Sequence, residues 1–347
     1  MAPVSAPVMV PGYRHLPGNH CGSTALRNLL AFHGRRYSEE MVFGLGAGAC
    51  FYYVKLDDSS PSRFTNGRAA RLEEQFLELT GAPIELFTDE DRERTWEAAR
   101  EVVDSGRPAI LLTDLYYLDH YGRSAHFPGH AVVLAGYNGA RAYLSDTGFE
   151  ELQTTRLENL ARARHADSPI FPLAGHMFHL PESEELPDLR SAIPRAIARG
   201  ARQMIEPPLG DYEGLPALRR FAAEVASWPE EIEDWRWCAR FNYQVIERRG
   251  TGGGNFRRMY AGFLAEAAAE HPQLVNADSL ARRASEAWSE LAAGLLEASE
   301  AHAGEPPLWA RIGRRAGAVL EAEERLWAEL DGVAQAELSA GTSSRAK

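Results

Sequence analysis

Between His130 and Thr147 the chain reads as two apolar runs, His130-Ala131-Val132-Val133-Leu134-Ala135-Gly136-Tyr137 and Tyr143-Leu144-Ser145-Asp146-Thr147, joined through Asn138-Gly139. That dipeptide is the strongest short hairpin signal, because both residues tolerate the positive φ angles of a tight turn between twisted strands. The runs therefore predict neighbouring antiparallel strands, and any fold for this chain must be built around them. Short apolar runs at 109–114, after Gly106-Arg107-Pro108, and at 175–180 add strands, with helical patterns between them. Helices and antiparallel strands in that order predict an α+β domain over residues 1–182. After Pro181-Glu182-Ser183-Glu184-Glu185 the strand signals vanish, and segments near 187–204, 215–227, 230–249, 254–270, 276–302 and 307–338 show helical spacing. Residues 183–340 are expected to form an all-helical bundle, and the small polar residues of 341–347 a disordered tail. Within 230–249, Ile232, Trp235, Cys238, Phe241, Asn242 and Val245 recur every three or four residues and share a face. Trp237 lies off that stripe and reads as packing or as a binding aromatic.

The hairpin places His130 at the start of one strand and Asp146 at the end of the next. Far upstream, Asn19-His20-Cys21-Gly22-Ser23-Thr24-Ala25-Leu26-Arg27-Asn28-Leu29-Leu30 sets Cys21 at the start of an amphipathic helix. Unpaired N–H groups and the macrodipole favour negative charge there and pull a cysteine pKa from about 8.5 towards neutrality. Thiolate, imidazole base and a carboxylate that fixes the imidazole tautomer make a nucleophile-base-orienter relay in the order Cys21, His130, Asp146. Each has a plainer reading: Cys21 as a small core hydrophobe, His130 as a satisfied core histidine, Asp146 as the opening of a turn with Gly148. The three positions taken together favour the relay. Cys50 and Cys238 read as structural.

These residues carry a resemblance. A cysteine at a helix start, then His-Ala-Val-Val-Leu-Ala-Gly-Tyr and Asp-Thr, is similar to the papain-like fold of bacteriocin-processing cysteine peptidases. A narrower match, His20-Cys21 with 25–30 and then Ser38-Glu39-Glu40-Met41-Val42-Phe43-Gly44-Leu45-Gly46, resembles the butirosin biosynthesis protein H family. The resemblance implies a papain-like catalytic domain and ping-pong acyl transfer, in which the cysteine takes an acyl group from an acyl carrier protein thioester and delivers it to an amine. The second half resembles the uncharacterised helical domain that often follows this module, with residues 246–260 as its marker. The peptidases carry a glutamine before the cysteine whose amide helps hold the oxyanion; His15 or Asn19 stands in that neighbourhood here. Asn19 is the candidate oxyanion donor together with the Cys21 backbone N–H, and equally a candidate cap for the helix.

Two glycine-rich stretches invite binding roles. Gly250-Thr251-Gly252-Gly253-Gly254 lacks the following Lys-Ser or Lys-Thr of a nucleotide loop and has no preceding strand. It reads either as a hinge or as an anion cradle at the helix starting near Asn255, with a pantetheine phosphate as the anion and Gly252, Gly253, Asn255 and Arg257 as its residues. Phe43–Tyr53 reads either as a turn and buried strand or as a passage for an acyl-pantetheine arm, with Phe51, Tyr52 and Tyr53 walling an acyl pocket. Arg248, Arg249, Arg257 and Arg258 are the candidate carrier dock, or a solvated helix face.

The 347 residues, 45% hydrophobic, suffice for two domains with cores, and a formal charge of -12 argues against nucleic acid, whose phosphates need clustered cations. Three cysteines give no disulfide framework, the first residues have neither charged nor apolar signal regions, and no stretch stays apolar long enough to span a bilayer. A cytoplasmic enzyme with no membrane span is expected, with no bound cofactor beyond the phosphopantetheine of its donor. No metal site is expected: His126 and His130 have helical spacing, but Pro128 and Gly129 intervene. An acyl carrier protein and a small-molecule amine are the expected partners, and homo-oligomerisation stays open. Rival readings keep the same triad with water as acceptor, a peptidase or thioesterase; others are a non-catalytic carrier-binding module and an acyl-enzyme used for cyclisation or carbon–carbon bond formation.

Overall fold

A computed structural model describes residues 6–123, 125–168, 171–182 and 184–345, with side chains as far as 336. In chain order the first elements are β1 (Val8–Met9), α1 (Cys21–Phe32), α2 (Glu39–Leu45), β2 (Ala49–Lys55), β3 (Arg63–Arg68), α3 (Leu72–Thr80), β4 (Glu85–Phe87) and α4 (Arg92–Asp104). They are followed by β5 (Ala109–Thr113), β6 (His130–Tyr137), β7 (Arg141–Ser145), β8 (Gln153–Arg156), α5 (Leu157–Arg164) and β9 (Met177–His179). The remainder is helical: α6 (Ile193–Ile205), α7 (Gly214–Glu224), α8 (Trp228–Glu231), α9 (Trp235–Glu247), α10 (Arg257–Ala267), α11 (Ala277–Glu300) and α12 (Pro306–Arg345). The chain is α+β. It divides into two compact units, Met1–Glu39 with Gly81–Asp188, and Glu40–Thr80 with Leu189–Lys347.

The first unit is built on an antiparallel sheet of order β4-β9-β5-β6-β7-β8, with β1 pairing the far end of β6. The expected hairpin is present. Asn138 accepts the Ala140 and Arg141 N–H groups through its side-chain oxygen at 2.9 and 2.8 Å, closing the β6–β7 turn. Strand β6 is buried along nearly its whole length, which explains its unbroken apolar run. Val132 and Leu134 of β6, Ala142 and Leu144 of β7 and Leu111 of β5 form one core with Ala99, Val102 and Val103 of α4 and Leu160 and Ala163 of α5. Gly136 is required where β1 crosses, since a Cβ there would stand 2.4 Å from the Met9 sulfur and 2.6 Å from the Val8 carbonyl. Helix α1 buries Ala25, Leu26, Leu29 and Leu30 and packs against β5 and β6. It ends where Gly34, at φ 84°, lets Arg35 N–H reach back to the Leu30 carbonyl at 2.9 Å.

The second unit differs from the expected single cut near residue 182. Residues 40–80 belong to it, so its helices enclose the antiparallel β2–β3 hairpin instead of being all-helical, although no strand follows β9 among the described residues. Strand β2 packs on α6 and α7, and β3 on α9. The apolar centre is aromatic: Phe51 lies 6.0 Å from Phe221 and 5.4 Å from Trp288 between ring centroids. At the polar centre Arg257 grips Glu323 with Nε at 2.7 Å and Nη2 at 3.2 Å, while the indole N–H groups of Trp288 and Trp327 donate to the same carboxylate at 2.6 and 2.7 Å. The helix expected over 230–249 is broken: Ile232 is extended, α9 starts at Trp235, and its buried face is Trp235, Cys238, Ala239, Asn242 and Ile246, leaving Phe241 and Val245 half-buried. Trp237 is exposed and edge-on to Phe241. The tail expected to be disordered is helical as far as Arg345, and residues 346 and 347 lie outside the described residues.

Candidate active site

Three local structures converge inside the first unit. Cys21 is the first residue of α1, half-buried, behind the N-cap His20, whose ring Nδ1 accepts the Ser23 N–H at 3.2 Å. His130 opens β6, and Thr113 Oγ1 donates to its carbonyl at 2.9 Å. Asp146 follows β7 directly. The β6–β7 register pairs Val133 with Ser145; continued by one residue it sets Asp146 opposite Val132, diagonal to His130 on one face of the sheet. Diagonal neighbours are about 7–8 Å apart, a gap that an imidazole and a carboxylate bridge. His130 Nε2 donates to Asp146 Oδ1 at 3.0 Å, and the Cys21 side chain hydrogen-bonds to His130.

Burial by itself would push His130 down, but the Asp146 charge and hydrogen bond, then the hydrogen bond and charge of Cys21, push it up to about 10. Burial would raise Asp146; the His130 charge, the hydrogen bonds from His120 and His130 and the His120 charge instead hold it well below the usual carboxylate range. A buried imidazolium-carboxylate pair beside a thiol is the arrangement that keeps a thiolate available.

His120 and Tyr121 were not legible as site residues. His120 Nε2 donates to Asp146 Oδ2 at 2.8 Å and the Tyr121 hydroxyl to Oδ1 at 3.2 Å. Burial, then the Asp146 charge, raises the Tyr121 phenol, keeping it a donor. Both sit on a single 3-10 turn, Asp119–Tyr121, which shows no periodicity in sequence. Glu39 was also missed. Its buried carboxylate accepts the backbone N–H groups of Asn19 at 2.9 Å and His20 at 2.7 Å, and the hydroxyls of Ser23 at 3.1 Å and Thr24 at 3.0 Å. It thereby ties the residues that precede α1 to the hydroxyls of its first turn.

Asn19 is not the cap; His20 is. The exposed Asn19 amide donates to Glu39 Oε2 at 3.3 Å, which leaves it one further N–H. His15 cannot stand in for the missing glutamine, since its ring nitrogens meet Ser145 Oγ and the Phe149 carbonyl, both at 2.7 Å. His126 is turned to Asp114, with Nδ1 2.7 Å from Oδ2. Among the described residues no group of three or more His, Cys, Asp or Glu side chains could hold a metal ion.

The expected binding residues all belong to the second unit, and most are structural there. Phe51 and Tyr53 are fully buried, Tyr53 accepting the Trp228 indole N–H and donating to Glu224, so neither walls a pocket. Tyr52 is half-buried and donates to Glu213 at 2.8 Å. Arg257 is fully buried, and its Nη1 donates to the carbonyls of Cys50, Gly67 and Asn255 at 2.7, 2.8 and 3.0 Å, so it cannot dock a carrier or an anion. Arg248, Arg249 and Arg258 are exposed. In the glycine loop, Gly252 to Phe256 run through five consecutive positive φ angles. The Gly253 and Gly254 N–H groups donate to Thr251 and Glu247, and that of the buried Asn255 to the Ile246 carbonyl, leaving no cradle for phosphate. The Gly44 backbone faces Phe263, where a Cβ would stand 2.0 Å from the ring, so that glycine serves helix contact. Cys50 and Cys238 are structural: burial, then the Glu213 charge, pushes Cys50 up to about 12, and burial raises Cys238.

Residues 20–147 match the family model described as butirosin biosynthesis protein H, N-terminal, and residues 158–330 that of a domain of unknown function, DUF4872. No curated protein matches the chain. Among the described residues no helix is long and apolar enough to cross a membrane.

Proposed function

Since the chain is a member of the butirosin biosynthesis protein H-like family through residues 20–147, we propose that it is a cysteine-dependent acyltransferase of specialised-metabolite biosynthesis. It takes an acyl group from a carrier-protein pantetheine thioester onto Cys21 and passes it to an amine. The observation that carries this reading is the hydrogen-bonded series Cys21, His130, Asp146, with a buried histidine pushed up to about 10.

With Nε2 committed to Asp146, His130 exchanges protons through Nδ1. The Cys21 thiolate attacks the thioester carbonyl carbon; the carbon–sulfur bond to pantetheine breaks, and the departing thiolate takes the proton from His130. An amine then attacks the Cys21 thioester, His130 Nδ1 takes its proton, and collapse forms the amide and returns Cys21 as thiolate. Thioester to amide is downhill and needs no nucleoside triphosphate. The oxyanion is held by the Cys21 backbone N–H at the start of α1 and by the Asn19 amide.

Intact-mass measurement after incubation with a panel of acyl-pantetheine thioesters tests the reading. An acyl adduct on the wild type and none on Cys21→Ala is expected, followed by loss of the adduct on adding an amine with an amide as product. Release of free acid at the same rate with and without amine would make the protein a hydrolase. No adduct with any thioester would remove the acyltransferase reading.

A further inference from the structure

Asp146 receives two hydrogen bonds that a three-residue relay does not need. Both come from the turn Asp119–Tyr121, and the one from His120 Nε2 to Oδ2, at 2.8 Å, is shorter than the one from His130. The turn is itself fastened. The Asp119 N–H donates to Thr155 Oγ1 at 2.7 Å, and the Asp119 carboxylate accepts the Asn159 amide at 2.6 Å and the Arg156 N–H at 2.8 Å. Gly122, at φ 64°, ends the turn. The rings of His120 and Tyr121 stand edge-on to Phe149 at 5.1 and 5.5 Å. A chain of contacts thus runs from β8 and α5 through Asp119 to His120 and on to Asp146.

His120 Nδ1 is buried and has no hydrogen-bond partner among the described residues. A buried ring with one nitrogen sealed and the other an N–H aimed at a carboxylate cannot pass a proton to a substrate, which excludes a second general base. We propose that His120 is a positioning residue of the nucleophile site, fixing the plane of the Asp146 carboxylate so that Oδ1 stays aimed at His130 Nε2. The inference rests on Cys21, His130 and Asp146 being the reactive relay.

The torsion that turns a carboxylate is soft and nearly two-fold, so the donors on Oδ1 alone leave Asp146 free to pivot about that oxygen. Donors on both oxygens remove that freedom. Burial favours neutral His130, and the Asp146 charge offsets it; a carboxylate that swings aside lets burial win, and the imidazolium is lost at a lower pH. The titratable groups facing this pair are Cys21 from α1, His120 and Tyr121 from the turn, and each other.

Alkylation of Cys21 by iodoacetate in the full chain, located by peptide mass, tests the proposal, because an anionic reagent reacts best with a thiolate beside an imidazolium and slows as His130 loses its proton. His120→Phe keeps a ring against Phe149 and removes the N–H. Its alkaline limb is expected to move down by about one pH unit, and its rate on that limb to fall by up to ~10-fold. His120→Gln, whose amide N–H reaches the position of Nε2, restores both. A folded His120→Phe chain with the wild-type limb and rate overturns the proposal. Should that chain fail to fold, a folded His120→Gln chain decides: a wild-type limb supports positioning, and a shifted limb overturns it. Alkylation needs no acyl donor, so failure of every thioester to acylate wild-type Cys21 removes the acyltransferase reading and leaves this measurement intact.

Discussion

Asp146 in the first unit and Glu323 in the second are both completely buried carboxylates ringed by N–H or O–H donors, but different side chains hold them. Asp146 meets two imidazoles and a phenol; Glu323 meets a guanidinium fork and two indoles. Burying a carboxylate is costly unless donors meet both of its oxygens, and both sites satisfy that requirement. The difference lies in what the donors do next. An imidazole can give its proton to a neighbour, whereas a guanidinium stays charged and holds a fixed geometry. The same answer to burial holds an imidazole beside a thiol in one unit and rivets helices together in the other.

The largest effect that separates them is on chemistry. Asp146→Asn should lower the rate of Cys21 acylation ~1,000- to 10,000-fold, as when a triad histidine is left in the wrong tautomer. Single-turnover mass measurement reads it, and a rate within tenfold of wild type would break the contrast. Next comes Glu323→Gln, which strands a buried guanidinium and should cost ~3–5 kcal/mol in urea unfolding, with Cys21 alkylation in the folded fraction unaltered.

The third contrast is in pH. His130 is raised above an ordinary imidazole, so its contribution to stability is complete below about pH 6.5 and is lost as pH rises through about 10. Asp146 is depressed, so its contribution is complete above about pH 3.9 and is lost below that. Urea midpoints should peak between those limits. His130→Ala should flatten the alkaline fall, and Glu323→Gln should lower the curve without reshaping that side. The smallest effect is Trp327→Phe, which removes one of four hydrogen bonds to Glu323 and should cost ~1–3 kcal/mol; no measurable change would mean that the guanidinium and the Trp288 indole already satisfy the carboxylate.

Cys21, His130 and Asp146 were legible because each sits at an end of an element with a local signature: a helix start, a strand start, and the end of the strand joined to it by Asn138-Gly139. His120 and Tyr121 lie on one 3-10 turn, and their link to Asp146 crosses 26 and 25 residues, so no periodic pattern marks them. Arg257 was misread for a related reason. A run of glycines before arginines looks like a loop open to a ligand, yet Arg257 reaches the Cys50 carbonyl 207 residues away and Glu323 66 residues away. Local pattern reports that Phe51 and Tyr53 lie in an apolar strand; only distant α7, α8 and α11 decide that they face a core, through Phe221, Trp228 and Trp288. The helix and strands of 39–68 could likewise be read locally, but not the unit that receives them.

That last segment bears on how the protein is made and inherited. Residues 40–80 lie within the stretch matching the butirosin-protein family, yet they fold with Leu189–Lys347. On the ribosome they emerge long before the helices that cover them, so an apolar hairpin with Phe51 and Tyr53 must wait uncovered while more than a hundred further residues are polymerised, a window in which chaperones can act. Recombination meets the same constraint: no crossover at a single point can exchange the helical unit alone, because residues 81–188 of the first unit lie between its two sequence segments.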